Sequence, residues 1–344
     1  MALQPSNGKK LQQTGQNGTK SFVLKWAHNQ ILATAKFLVI SCPSFRKTFR
    51  RKSEFDMSIK SKSIMPPPWL AFRHIEMYSI GWRMGYGEDY MFRFSDWFDE
   101  LSQEERNEYR ELFPEPITWS GWYEEDGEPA FLEHGQYSLC AWQDQGKPKY
   151  DLQWLQREFT AKKRHHMCFF WGHTGPKDEI TKACLSQWYP QEFCFSVAHY
   201  SCMEQFMMAN KAELFGDMET KDKIMQSSSP KQVKAFGRMV KGFDQEIWDK
   251  FKHSIVVNGN WRKFSQNRAL CDFLMATGDS ILVEASPVDK IWGIGLAADN
   301  PDAQNPLKWR GQNMLGFALM EVRDELQKVN RNESLCNFDC VVDQ

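Results

Sequence analysis

Between Ser201 and Val329 the chain is a run of helical segments with one short strand among them, and that pattern limits it to a mainly α fold. Ser201 to about Phe215 carries Phe206, Met207, Met208, Ala209 and Leu214. Ser229 and Pro230 pair an N-cap with a first-turn proline and predict a helix through Val240; Asp244 predicts a cap for another through Trp248 and Phe251. Phe264 to Met275 reads as a helix ending at Gly278, and Asn313 to about Val329 sets Leu315, Ala318, Leu319, Val322 and Leu326 on one stripe. Strand signals are few. MCFFWG from Met167 is a candidate buried strand, and LSQWYPQEFCF from Leu185 is a bent aromatic segment. ILVEAS alternates, with Ile281, Val283 and Ala285 on one face and Leu282, Glu284 and Ser286 on the other. The expected fold class is mainly α with a minor α+β part.

The strand at Ile281 runs into EASPVDKIWGIG, Glu284 to Gly295, which sets two carboxylates, an indole and two glycines at a strand-to-turn junction. Glu284 leaves the sheet opposite the Val283 face. Pro287 ends the strand, Asp289 follows in the turn, and Gly293 and Gly295 permit positive φ or close backbone approach to a ligand. Taken alone, the run fits a ligand site and a structural turn with capping carboxylates equally well.

Charge divides the chain. Of 43 Lys and Arg, ten lie in Met1 to Ser53, which has no Asp or Glu, leaving 33 against 44 acids in the remainder. So acidic a body argues against non-specific nucleic-acid binding. The basic residues 1–65 read as a transit-like segment or a disordered tail, so the expected location is cytoplasmic, or organellar on the transit reading. Charges interrupt the apolar run at Ile31 to Cys42, and no membrane span is expected. Nine scattered cysteines form no disulfide framework and favour a reducing compartment. Cys336 and Cys340 lack zinc-site partners, His165, His166 and His173 lack ligand spacing, and the expected metal and cofactor are none.

Pro66 to Pro68 marks a boundary, after which residues 66–151 read as a small accessory domain dense in aromatics and acids. Within it, FSDWFDELSQEERNEYRELF predicts two helices broken near Ser102, a candidate N-cap. Residues 160–330 form the main domain, and 331–344 read as a flexible tail.

In order, the C-terminal half presents LSQWYPQEF (185–193), EQFMMANK (204–211), KFSQNRAL (263–270), EASPVDKIWGIG (284–295) and GQNMLGFALMEVR (311–323). This succession resembles the NADAR, or YbiA-like, domain over about Met167 to Leu326. The resemblance implies a compact, mainly helical domain whose members cleave ribosyl–nitrogen bonds, in phosphorylated riboflavin-pathway intermediates or in ADP-ribose on guanine. Gln187 and Gln205 stand where members of the family commonly have Asn and His.

Cleaving such a bond requires a stabilised C1, a proton for the departing base and a nucleophile on the sugar. Glu204 and Lys211 lie two turns apart on one helix, and from spacing alone they fit a solvent-facing pair. The resemblance matches both to family positions. It implies Lys211 as an amine capturing the open-chain aldehyde, preferred over Lys263, with Glu204 moving protons and Glu284 or Asp289 holding ribose hydroxyls or activating water. The expected catalytic set is thus Glu204, Lys211, Glu284 and Asp289. Trp292 and Trp188 are candidates to stack on the base, beside Gly293 and Gly295; Arg310 and the helix start at Asn313 are candidates for the phosphate. Expected partners are a ribosyl phosphate or an ADP-ribosyl compound, including ADP-ribosylated nucleic acid. The alternative is a non-catalytic ADP-ribose or nucleotide-binding module.

Overall fold

Side-chain caps set four of the ten α-helix starts among the described residues, at Ser102, Asp151, Asp217 and Asp244. Asp244 Oδ1 accepts from the backbone N–H of Glu246 (2.8 Å) and Ile247 (3.0 Å), launching a helix of 21 residues. Ser102 and Glu105 form a reciprocal capping box where the sequence breaks its two helices. The computed structural model describes residue 59 and residues 63–124, 148–176 and 178–341. The transit-like or disordered reading of the N-terminal segment lies almost wholly outside these residues.

In chain order the helices and strands are α1 (Pro68–Ala71), α2 (Tyr86–Asp99), α3 (Gln103–Leu112), α4 (Leu152–Thr160), β1 (Met167–Phe170), β2 (Phe193–Phe195), β3 (Ala198–Tyr200), α5 (Met203–Leu214), α6 (Met218–Met225), α7 (Pro230–Gly237), α8 (Gln245–Ser265), α9 (Arg268–Ala276), β4 (Ile281–Glu284) and α10 (Met314–Asn330). Helix dominates and strand is minor, the expected class. β1 and β4 pair in parallel with Phe170 opposite Glu284; β2 and β3 form a small antiparallel hairpin. Residues 281–283 are buried on both faces, because α10 covers one side of β4.

α8 is the central post. Nearly all of it from Phe251 onward is buried, and α5, α9 and α10 pack around it. Two boundaries differ from expectation. α7 stops at Gly237 rather than Val240, and Lys263 lies near the C-terminal end of α8 rather than at a helix start. The apolar periodicity of α8 runs through Phe264 without a break, so only Gln266 and Asn267 separate it from α9.

The described residues of the expected accessory segment share a buried cluster with the rest of the described chain, from Trp69, Tyr90 and Tyr109 to Phe264 and Val322. Polar ties accompany this packing. Arg262 pairs bidentately with Glu76 at 2.8 Å, and the Ile117 N–H donates to Glu325 Oε1 at 2.7 Å. Residues 331–341 run back to meet it, with the Asn337 N–H on Ile64 O (2.8 Å) and Glu333 paired to Arg73 (2.9 Å). Among the described residues no helix is long and apolar enough to cross a membrane.

Candidate functional site

Glu284 stands at the C-terminal end of β4, opposite Phe170 of β1. Asn313 fixes it there. This residue is wholly buried with φ 54°; its Oδ1 accepts from the Glu284 N–H and its Nδ2 donates to Leu282 O, both at 2.9 Å. The side-chain amide is therefore spent on β4. Asn313 positions Glu284, and the backbone amides expected to be free for a phosphate at this helix start are paired: the Gln312 N–H donates to Lys290 O (3.0 Å) and the Asn313 N–H to Gly293 O (3.1 Å).

The turn after β4 closes on itself. Glu284 O accepts from the Ile294 N–H at 2.9 Å, and Asp289 Oδ1 accepts from Ile291 and Trp292 N–H, each at 2.8 Å. A Cβ on Gly293 would lie 2.8 Å from Glu284 O, so that glycine permits the backbone crossing. Gly295, at φ 67°, lies against Arg310. Both glycines serve the turn. The Trp292 indole is half-buried against the core, and Arg310 is exposed.

Glu204 enters from the first turn of α5. Its backbone N–H donates to Gln187 O (2.9 Å), and the Trp188 side chain hydrogen-bonds its carboxylate. Burial pushes the Glu204 carboxyl up to about 7, and Asp289 adds to the rise; Lys234, the Trp188 bond and Arg238 pull it down. Burial likewise pushes Glu284 up to about 8, with Asp289 and Glu204 raising it further and Lys234 opposing them. Glu204, Glu284 and Asp289 thus lie within electrostatic range of one another, on α5, β4 and the following turn. Glu204 Oε1 and Glu284 Oε2 are buried without a hydrogen-bond partner, as is Gln187 Oε1. Orphaned acceptors at one place mark a site awaiting donors.

The cation that acts on both buried carboxyls is Lys234 of α7, which sequence analysis did not single out. Its Nζ lies 5.7 Å from the Trp188 ring centre, and the other face of the neighbourhood holds His173, 5.5 Å from Trp188. Nothing local distinguishes Lys234 from Lys231 one turn earlier; only the packing of α7 on α5 selects it.

Neither lysine expected to be reactive joins the carboxylates. Lys211 Nζ donates to Gly237 O at 2.9 Å and lies 4.2 Å from the Phe243 ring centre; burial alone lowers its pKa. Two helical turns carry it about 10 Å along α5 from Glu204. Lys263 is wholly buried, donates to Cys184 O (2.6 Å) and Ser186 O (2.9 Å), and burial brings its pKa down to about 8. It buttresses the loop carrying Gln187 and Trp188. Among the described residues no three His, Cys, Asp or Glu side chains are arranged to hold a metal ion.

Residues 169–327 match the NADAR domain. An N-glycosidase of Acanthamoeba polyphaga mimivirus is 45% identical over 161 residues, 45% of this chain and 95% of the relative. An N-glycosidase of Nostoc punctiforme is 27% identical, covering 42% of this chain and 86% of that protein. A riboflavin biosynthesis protein of Vibrio vulnificus is 29% identical over 42% of this chain and 35% of its own length. The shared segment begins at β1 and ends in α10, and so holds every carboxylate of the cluster together with Lys234: the chain belongs to the NADAR family.

Proposed function

We propose that this chain is a hydrolase of N-glycosyl bonds that releases a nitrogen base from a phosphorylated ribosyl compound, with Glu204, Glu284, Asp289 and Lys234 as its working groups. The observation that carries this reading is the pair of buried carboxyls with unpartnered oxygens, opposed by a lysine. Near neutral pH, Glu284 at about 8 is mostly protonated and Glu204 at about 7 is partly ionised, an acid and a base held side by side. The N-glycosidase names of two relatives support the bond type, and the riboflavin biosynthesis relative supports a ribosylaminopyrimidine phosphate as substrate.

Glu284 gives its proton to the departing nitrogen as the bond to C1 breaks. Lys234, having passed a proton to Glu204, bonds C1 through its amine; the C1–O4 ring bond then breaks, O4 taking a proton from the lysine nitrogen, and a protonated imine joins the lysine to the opened sugar. Water adds to C1 and Glu284 takes its proton; the C1–nitrogen bond then breaks as the proton of the new hydroxyl passes to the lysine nitrogen, the sugar leaves as its aldehyde, and Glu204 returns its proton to the lysine. One water is consumed. Asp289, tied to the turn through Oδ1, keeps Oδ2 for ribose hydroxyls, and Trp188 offers its ring to the base. Exposed Arg238 supplies charge for the phosphate.

The test is to incubate the purified protein with a ribosylaminopyrimidine phosphate and, separately, with DNA bearing ADP-ribosylated guanine, and to measure released base or ADP-ribose. Borohydride added during turnover should fix a sugar adduct on a Lys234 peptide. Folded protein that stabilises on adding either compound but releases nothing is a binding module, and the enzymatic reading then falls.

A further inference from the structure

We propose that Lys211 is a positioning residue, which ties the C-terminal end of α7 to α5 and thereby sets Lys234 against Glu204 and Glu284. The inference rests on the assignment of Lys234 above. α5 carries both anchors and one of the groups to be aligned. Glu204 is in its first turn, and Lys211 follows two turns later. α7 lies so close to α5 at Gly237 that a Cβ there would sit 2.0 Å from Met208 Sδ.

Gly237 O belongs to the last turn of α7, whose carbonyls lack partners within the helix. Lys211 Nζ donates to it at 2.9 Å, while the ammonium lies 4.2 Å from the Phe243 ring centre and 5.5 Å from that of Trp248. Lys234 is three residues before Gly237, on the same side of the helix. Whatever holds Gly237 therefore holds Lys234. The approach to α7 is secured from α5 as well: Gln205 Nε2 donates to Ile224 O (3.1 Å), Met225 O (3.2 Å) and Ser227 O (3.1 Å). Its Oε1 accepts from the Ser201 N–H at 2.7 Å. Both flanks of the lysine-bearing helix are thus fastened by side chains of the helix that bears Glu204.

The experiment compares Lys211→Met, Lys211→Arg, Phe243→Leu and Lys234→Met in the full chain with a ribosylaminopyrimidine phosphate. Lys211→Met should lower kcat at least tenfold with KM changed less than threefold. Lys234 lowers the pKa of both Glu204 and Glu284, against the raising influence of Asp289, with Arg238 also acting on Glu204. A displaced Lys234 should therefore move both limbs of the kcat–pH profile upward by half a unit or more. Lys211→Arg, which keeps a charged donor, should restore kcat to within threefold and return the profile. Phe243→Leu opens the cage without touching the amine and should give an intermediate loss, which decides the matter if Lys211→Met fails to fold. Unchanged kcat and profile in Lys211→Met or Phe243→Leu would overturn the positioning role, as would a borohydride adduct on Lys211. If Lys234→Met stays active, the catalytic assignment itself is wrong, whatever Lys211 does.

Discussion

Glu284 illustrates how a site residue is held at a cost to the fold. Its carboxyl, ordinarily near 4.5, is pushed to about 8 by burial and by its acidic neighbours. The folded protein keeps a proton that the unfolded chain releases, so the stability this group contributes is fully present below about 4.5 and is lost as pH rises through about 8. Glu284→Gln has no such proton to lose. Its melting temperature should exceed that of the parent at pH 8 and match it near pH 4.5, while kcat falls at least a hundredfold; parallel melting curves for the two proteins would refute the assignment. Glu204→Gln should behave alike with the transition nearer pH 7, because its carboxyl lies at about 7. At this scale the sequence is a partial guide. The three acids are legible because each sits in a short contiguous run that the family resemblance picks out, whereas local spacing alone leaves Glu204 as a solvent-facing group and Glu284 and Asp289 as capping carboxylates. The proposed working lysine is not, since a flexible four-carbon stem ends wherever its cage lies: Lys211 shares a helix with Glu204 yet reaches Gly237 O, while Lys234 arrives from another helix altogether.

At the level of elements, the β4–α10 contact positions the proposed catalytic edge, and small residues make it possible. A Cβ on Gly316 would lie 2.0 Å from Leu282 O, a backbone atom that cannot yield without moving β4. Gly316→Ala should therefore separate α10 from β4, lowering the urea midpoint and kcat together. Asn313→Leu removes both bonds to β4 and places a bulky residue at φ 54°; strain and two unmet backbone groups together predict a loss on the order of 3 kcal/mol, read as a lower urea midpoint at constant m. A variant as stable as the parent would show that β4 is held by packing alone. Helix starts were legible wherever a capping residue declares itself, as Ser102 and Asp244 do. The parallel pairing of β1 with β4 was not, because Met167 pairs with Ile281 across all the intervening helices, and alternation within a strand carries no information about its partner.

For the whole molecule, the question is whether residues 160–330, which hold every proposed catalytic group, stand alone. The Arg262 side chain is 4% exposed and its guanidinium is fully engaged, Nε and Nη2 on Glu76 and Nη1 on Asn258 O. Composition marks residues 66–151 as distinct, dense in aromatics and acids, and gives no hint that one of those acids neutralises a buried arginine on the central helix. The reason is physical: a sequence boundary reports a change in local pattern, whereas a folding unit is defined by what shares a core, and Trp69, Tyr90 and Tyr109 share theirs with Phe264 and Val322. Excising 160–330 leaves Arg262 without its carboxylate, and also removes the Ile117 N–H from Glu325. Removing one member of a buried ion pair costs about 3–5 kcal/mol, a large part of the stability of a domain this size. Glu76→Ala in the full chain isolates that contribution and should lower the urea midpoint markedly while leaving KM unchanged, because Glu76 touches none of the proposed catalytic groups. The 160–330 fragment should fare worse, with non-cooperative urea melting and exposed apolar surface that binds a hydrophobic dye. A fragment that melts cooperatively at the midpoint of the full chain would show instead that the segment carrying Glu76 is dispensable for folding, and that the buried arginine finds its compensation elsewhere.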